Sequence, residues 1–415
     1  MRAGMPLQSI LLTILFLPTT IFYFGLSSSL TLGVTAGAFC IMAVSFVLPC
    51  GVWRAVLWGI AAAIVATALV LIHLLFAATF QPVDLGRALA SLAPMFFVIA
   101  AGVSLARVFE LASDQAFSKA LFVCFGLMAV SAVAGIAGLK VPAPGSDAYK
   151  NPVLLFTEPS HFALVFSPVL MYCCASSRGV TRLLLMCFGL LVAALLQSLT
   201  LVVGWLVIIV VCSRGLTLPL MTIVLVAAGS LVDMSYYANR VSFAGTQNIS
   251  ALVYIQGWQL LFKAFSASHG WGVGFQQFGL HDSNSEATEA LVVLIGNAIN
   301  LLDGGFTFAK LVGEFGVFGL AATALLLGMA VVSCRRLSLA IRGKLTLTAP
   351  ETFACCMLAT YPMELFVRGT GYFTPSALLT VASVWLLFRP GVRAQRAAHH
   401  ADRSGVGVPY PGLPQ

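Results

Sequence analysis

Four short stretches of this 415-residue chain hold ionisable side chains at spacings that suit chemistry. In ELFVRGTGYF, residues 364–373, Glu364 and Arg368 stand four apart inside an otherwise apolar run. Acid before base at that spacing is the favourable order for a helical ion pair. Gly369 and Gly371 follow directly, and glycine there ends a helix and leaves backbone room for a ligand beside the guanidinium. The planar fork of arginine matches phosphate oxygens and stays charged at any relevant pH. In FTEPSHFA, residues 156–163, Glu158 and His161 are three apart, Thr157 suits an N-cap and Pro159 suits the first helical turn. They are either a capped helix start with an acid at the dipole's positive end, or an acid and an imidazole turned towards a substrate. Lys310 and Glu314, in DGGFTFAKLVGEFGVFGL, are four apart with the cation first, the less favourable order, and a purely structural pair is one reading of them. Asp303 opens the same stretch ahead of two glycines, and Arg240 lies in YYANRVSF beside Tyr236 and Tyr237, residues that also serve as interfacial anchors.

The remaining histidines carry less. His73 sits among leucines and reads as a buried, hydrogen-bonded residue, while His269 and His281 flank GWGVGFQQFG and suit solvated or packing roles. The glycines of that stretch suit a tight turn with close backbone approach; without a strand-turn-helix context they are weak evidence for nucleotide binding. There is no HExxH and no DxD, so neither a protein-held metal nor a cofactor is expected.

The elements that must position these residues are apolar. Hydrophobic residues make up 60% of the chain and charged residues only 9%, against roughly 25% in ordinary soluble domains. Mean hydropathy is +0.99. The composition predicts an all-α, polytopic integral membrane protein. Segments of roughly 20 apolar residues bounded by Gly, Pro or charge fall near 8–26, 30–50, 55–78, 89–106, 119–139, 159–176, 182–198, 200–213, 217–232, 309–333, 352–367 and 372–388, about twelve in all. The seventh and eighth share one apolar run, divided at QSLT (residues 197–200) because polar side chains suit a turn.

Charge supports this division. With the N terminus inside and the segments alternating, most of the 22 Lys and Arg residues fall inside, including those of SSRGVTR and CRRLSLAIRGK, while most acids fall outside. That is the positive-inside pattern for twelve crossings with both ends cytoplasmic. The net charge of +8 then reflects membrane orientation, and nucleic acid is not an expected partner. One transmembrane domain spans 1–388, with a long outer loop over 233–308, and 389–415 forms a polar, disordered cytoplasmic tail. Within the loop, NISALVYIQGWQLLFKAF is apolar and helix-compatible and suits the membrane surface. The ten cysteines lie in or beside apolar segments, where disulfides are not expected.

The order of FTEPSHFA, SLT (198–200), GWGVGFQQFG, DGGFTFAKLVGEFGVFGL and ELFVRGTGYF resembles that of the O-antigen polymerase (Wzy-type) family of bacterial polysaccharide polymerases, over residues 150–388. The resemblance implies a metal-independent glycosyltransferase of GT-C-like architecture in the bacterial inner membrane, with a large late periplasmic loop. Its implied partners are undecaprenyl-pyrophosphate-linked glycans, membrane lipid, a flippase and a chain-length regulator. It also implies that outer arginines hold the pyrophosphate, Arg368 first and Arg240 second, with help from Lys310. Related O-antigen ligases carry a histidine before the E-x-G-x-x-G element, where this chain offers Asp303, which argues against a ligase. Neither Arg240 nor Arg368 has a glycine eleven positions on, as some family members do.

Glycosyl transfer from a lipid pyrophosphate needs fixed cations for the leaving oxygens and a base for the acceptor hydroxyl. Glu158 with His161 is the expected base, Asp303 the alternative, with Glu314 and Glu364 supporting. Trp258, Trp271, Phe275 and Phe278 are candidates for stacking sugar faces. A lipid-linked oligosaccharide flippase or secondary transporter is the rival from another class, and an O-antigen ligase the nearest enzymatic one.

Overall fold

The computed structural model describes residues 4–27, 29–47, 52–143, 152–214, 219, 248–281 and 283–389. The ninth apolar segment apart from residue 219, Arg240, and the C-terminal tail beyond Arg389 lie outside the described residues. Every named element among those described is an α-helix. The first eight are α1 (Gly4–Tyr23), α2 (Thr31–Val47), α3 (Val52–Ala77), α4 (Leu85–Leu111), α5 (Asp114–Ile136), α6 (Pro159–Ser176), α7 (Gly179–Leu195) and α8 (Leu199–Cys212). They are followed by α9 (Ile249–Ala267), α10 (Glu286–Ile295), α11 (Thr307–Ile341), α12 (Ala349–Thr360), α13 (Pro362–Phe366) and α14 (Pro375–Phe388).

Each expected apolar segment within the described residues coincides with helix. Five of these helices, α3, α4, α5, α6 and α11, are long and apolar enough to cross a membrane. Large apolar side chains such as Trp58, Leu69, Leu75, Val130 and Val331 stand exposed along them, as on a surface that faces hydrocarbon. Small residues let the helices approach closely: a Cβ on Gly59 would come within 2.5 Å of the Ala100 carbonyl oxygen, and one on Gly102 within 2.6 Å of Val381. The turn expected at QSLT is present, with Gln197 at φ 49 and Ser198 capping α8 by accepting from the Leu201 amide.

Two expectations about helix ends change. The N-cap of α6 is Glu158, not Thr157, and the Glu158 side chain does not cap. The segment expected over 352–367 divides at Pro362 into α12 and α13, and α13 ends at Phe366. Proline lacks the N–H that would continue the ladder through that point.

A third feature is absent from the periodicity. Helix α11 is interrupted at Gly316, where φ is 56 and ψ is −128. The Gly-rich loop fills the interruption. Val273 N–H donates to the Gly313 carbonyl, Gly274 N–H to the Glu314 carbonyl, and Val317 N–H to the Gly270 carbonyl, each at 2.9 Å. These three bonds take up backbone groups that a break in an apolar helix would otherwise leave unpaired. His73 holds the loop from the other side. Its ring stacks on Trp271 with centroids 5.3 Å apart, its Nε2 lies 3.0 Å from the Trp271 carbonyl oxygen, and Trp271 Nε1 donates to the His73 carbonyl. The buried, hydrogen-bonded histidine expected at residue 73 is the one observed.

Candidate functional site

Three of the singled-out stretches meet at one pocket of about 560 Å³. FTEPSHFA contributes Glu158, Pro159 and Ser160; QSLT contributes Gln197 to Thr200; and ELFVRGTGYF contributes Phe366, Val367 and Arg368. Asn300 and Gly305 add the edge of the DGG turn.

Arg368 and Glu158 form the charged centre. The guanidinium donates through Nη2 to Glu158 Oε1 at 2.6 Å, and His161 Nε2 lies 2.8 Å from the same oxygen. Thr157 Oγ1 lies 3.1 Å from His161 Nδ1, which orients the ring. The Glu158 side chain keeps 38% of its surface and Arg368 23%, so both remain open to a ligand. Burial pushes the Glu158 carboxyl up, but the Arg368 guanidinium and His161 outweigh it and hold it well below the ordinary carboxylate range. Glu158 is therefore a carboxylate, and while Arg368 holds it, a weak base.

The pocket is also where helices begin. The first turns of α6 (Pro159, Ser160), α8 (Leu199, Thr200) and α9 (Ile249, Ser250, Ala251) line it. Helix N-termini carry partial positive charge and favour anions. Ser160 Oγ, on the wall, is buried with no hydrogen-bond partner among the described residues.

Arg368 is placed by its own loop. The expected Glu364–Arg368 ion pair is not formed: α13 stops at Phe366, so the two are out of helical register. Glu364 instead turns into the protein, accepting from Thr374 Oγ1 at 2.7 Å and from Ser376 Oγ, and so ties the loop to the start of α14. The far side of the loop is pinned where Gly369 N–H donates to the Gly305 carbonyl at 3.0 Å. A Cβ on Gly369 would stand 2.4 Å from Thr307 Oγ1, and one on Gly371, at φ 90, would stand 2.9 Å from Asp303 Oδ1. The glycines are required because the arginine loop lies flat on the DGG turn and the first turn of α11.

Lys310, Asp303 and Glu314 form a separate group that does not line this pocket. Lys310 Nζ, almost fully buried, donates to the Leu302 carbonyl at 2.6 Å and to Asp303 Oδ1 at 3.0 Å, and lies 3.8 Å from Glu314. It also stands 5.4 Å from the centre of the Tyr372 ring. The Tyr372 hydroxyl and the Gln276 and Phe278 amides approach the Glu314 carboxylate without closing hydrogen bonds of standard geometry. The aromatic expectation is corrected in part: Phe275 and Phe278 are buried and Trp271 is committed to His73, so none of the three offers a free face to a sugar. Tyr254, which lines the pocket, was not singled out by the sequence. Its position one turn into an N-capped apolar helix was the available signal. Among the described residues no group of three His, Cys, Asp or Glu side chains is arranged to hold a metal ion.

Comparison with family models, curated proteins and solved structures returns no match.

Proposed function

We propose that this chain is a glycosyltransferase of the bacterial inner membrane that polymerises undecaprenyl-pyrophosphate-linked repeat units at the periplasmic face. The reading includes twelve crossings, GT-C-like architecture and cytoplasmic termini. The observation that carries it is the Arg368–Glu158 pair set among three helix N-termini in one pocket. A diphosphate is the anion such a site suits, since guanidinium and helix ends both favour phosphate oxygens.

The pair supports a sequence of events. The leaving diphosphate takes the guanidinium of Arg368, which frees Glu158 from the interaction that makes it a weak base. The acceptor hydroxyl oxygen attacks the anomeric carbon. The bond from that carbon to the phosphate oxygen breaks, and its electrons leave with the lipid pyrophosphate. The hydroxyl proton passes to Glu158, with His161 beside it as a second acceptor. A preorganised donor such as Arg368 is worth roughly 10²–10³-fold in rate.

Complementation tests the reading. Arg368→Lys and Arg368→Ala proteins that insert normally are expected not to restore long polysaccharide in a strain lacking this gene, which instead accumulates single repeats on lipid. Wild-type chain lengths from both variants would remove Arg368 from the site. A transport function is the second reading, favoured by the interruption of α11 beside buried Lys310 and Glu314, since discontinuous helices mark binding sites in secondary transporters. It stands second because the Gly-rich loop already takes up backbone groups at that break.

A further inference from the structure

A second cavity, of about 940 Å³, lies at the other end of the same helices. Helices α6, α8 and α11 start at the Arg368 end and finish at this one, and α7 runs back, its first residue, Gly179, lining the second cavity and Leu196, just past its end, the first. The 18 residues of α6 separate the two by about 27 Å, close to the thickness of a bilayer's hydrocarbon core.

Four arginines line this cavity, Arg178, Arg182, Arg214 and Arg342, against one carboxylate, Asp114. The two sides differ in commitment. Asp114 Oδ1 accepts from the Ala349 amide at 2.7 Å and thereby helps hold the start of α12. Arg182 is also committed: it donates to the Cys174, Ser177 and Cys212 carbonyls, which closes the C-terminal ends of α6 and α8. Arg178 and Arg342 are exposed and line the cavity from two different helix ends, the start of α7 and the end of α11. Hydroxyls of Ser176, Thr346 and Thr352 complete a polar wall. A positive-inside bias accounts for cations at this end of the bundle, but it does not gather them around one concavity. Lys344, on the same loop as Arg342, does not line it.

We infer that this cavity is a second anion site, at the opposite end of the bundle from Arg368, which takes a phosphate-bearing ligand between Arg178 and Arg342. Phosphate of that kind comes from an anionic lipid headgroup or from a soluble phosphate, and basic pockets between membrane helices suit either.

The test uses the full chain carrying Arg368→Ala, so that the first pocket does not contribute. In phosphatidylcholine nanodiscs it is titrated with inorganic pyrophosphate, and separately it is placed in discs of rising phosphatidylglycerol content. The thermal unfolding midpoint is read in each case. A rise with pyrophosphate identifies a soluble phosphate, and a rise with phosphatidylglycerol alone identifies a lipid headgroup. In either arm, Arg342→Gln is expected to weaken apparent affinity about fivefold, and Arg178→Gln with Arg342→Gln about 25-fold. Arg342→Gln alone serves if the double variant does not fold. No rise in either arm overturns the inference. So does a rise that the Gln variants leave unchanged, or one that Lys344→Gln weakens equally, since that would be attraction to the surface and not to the cavity.

Discussion

Arg368 and Glu158, 210 residues apart in the chain, meet at 2.6 Å. The contact joins the loop after α13 to the cap of α6, and so brings the two most suggestive motifs of the sequence to one point. Neither residue takes the local partner offered by its own helix spacing alone. Arg368 passes over Glu364 for an acid from another helix, and Glu158 is shared between Arg368 and His161.

Removing one member of this pair leaves the other's charge in a pocket of limited solvent. Arg368→Ala and Glu158→Ala are each expected to lower the unfolding midpoint of detergent-solubilised protein, and the double variant to recover part of the loss. For the proposed turnover no such recovery is expected: if the chain is the polymerase proposed, Glu158→Gln slows chain growth by about 10²–10⁴-fold, read as chain length and as accumulated single repeats. Additive stability losses in the double variant would falsify the pairing.

The pair also fixes a pH dependence. The folded state holds the Glu158 carboxyl below the ordinary value of 4.5, so it binds fewer protons there than the unfolded chain does. Its stabilisation is fully present above the ordinary value and is lost as pH falls through the depressed one. The midpoint difference between wild type and Glu158→Gln is expected to stay level from about pH 8 to about pH 5 and to narrow at lower pH. A difference that widens on acidification would contradict it.

Gly316→Ala tests the interrupted helix. A Cβ there would stand 2.0 Å from the Gly270 carbonyl oxygen, at a φ of 56. Both the strain and the clash act on backbone, so a loss of about 3 kcal/mol or more is expected in an unfolding titration. Gly328→Ala, in the same helix with nothing within 4 Å, is the control and is expected to stabilise by about 0.5–1 kcal/mol.

Lys310→Met leaves Glu314 buried without its cation, and a loss of about 3–5 kcal/mol is expected. Lys310→Met with Glu314→Gln is expected to return most of it. If the single variant unfolds like wild type, the buried pair is not what holds the start of α11.

The helices were legible because hydropathy alone locates apolar segments, and QSLT was legible because three polar residues, Gln197, Ser198 and Thr200, interrupt one. The convergence of FTEPSHFA, SLT and ELFVRGTGYF on one pocket was legible only as a shared side of the membrane. The partner of Arg368 was not, because an i,i+4 spacing favours Glu364 only where the helix continues, and α13 stops at Phe366, ahead of Gly369. The break at Gly316 was hidden in a stretch as apolar as its surroundings. Its trace was the spacing of Gly313, Gly316 and Gly319 together with the separate glycines of GWGVG, whose close backbone approach had been expected without a target.

The Gly-rich plug has a consequence for biogenesis. His73 in α3 leaves the ribosome almost 200 residues before Trp271, its stacking and hydrogen-bonding partner, and Gly316 follows later still. During synthesis α3 therefore enters the membrane with an unmatched imidazole, which only a segment made much later can satisfy. A nascent chain stopped short of Trp271 would present that polar group to quality-control proteases, and completion of α11 is the step that conceals it.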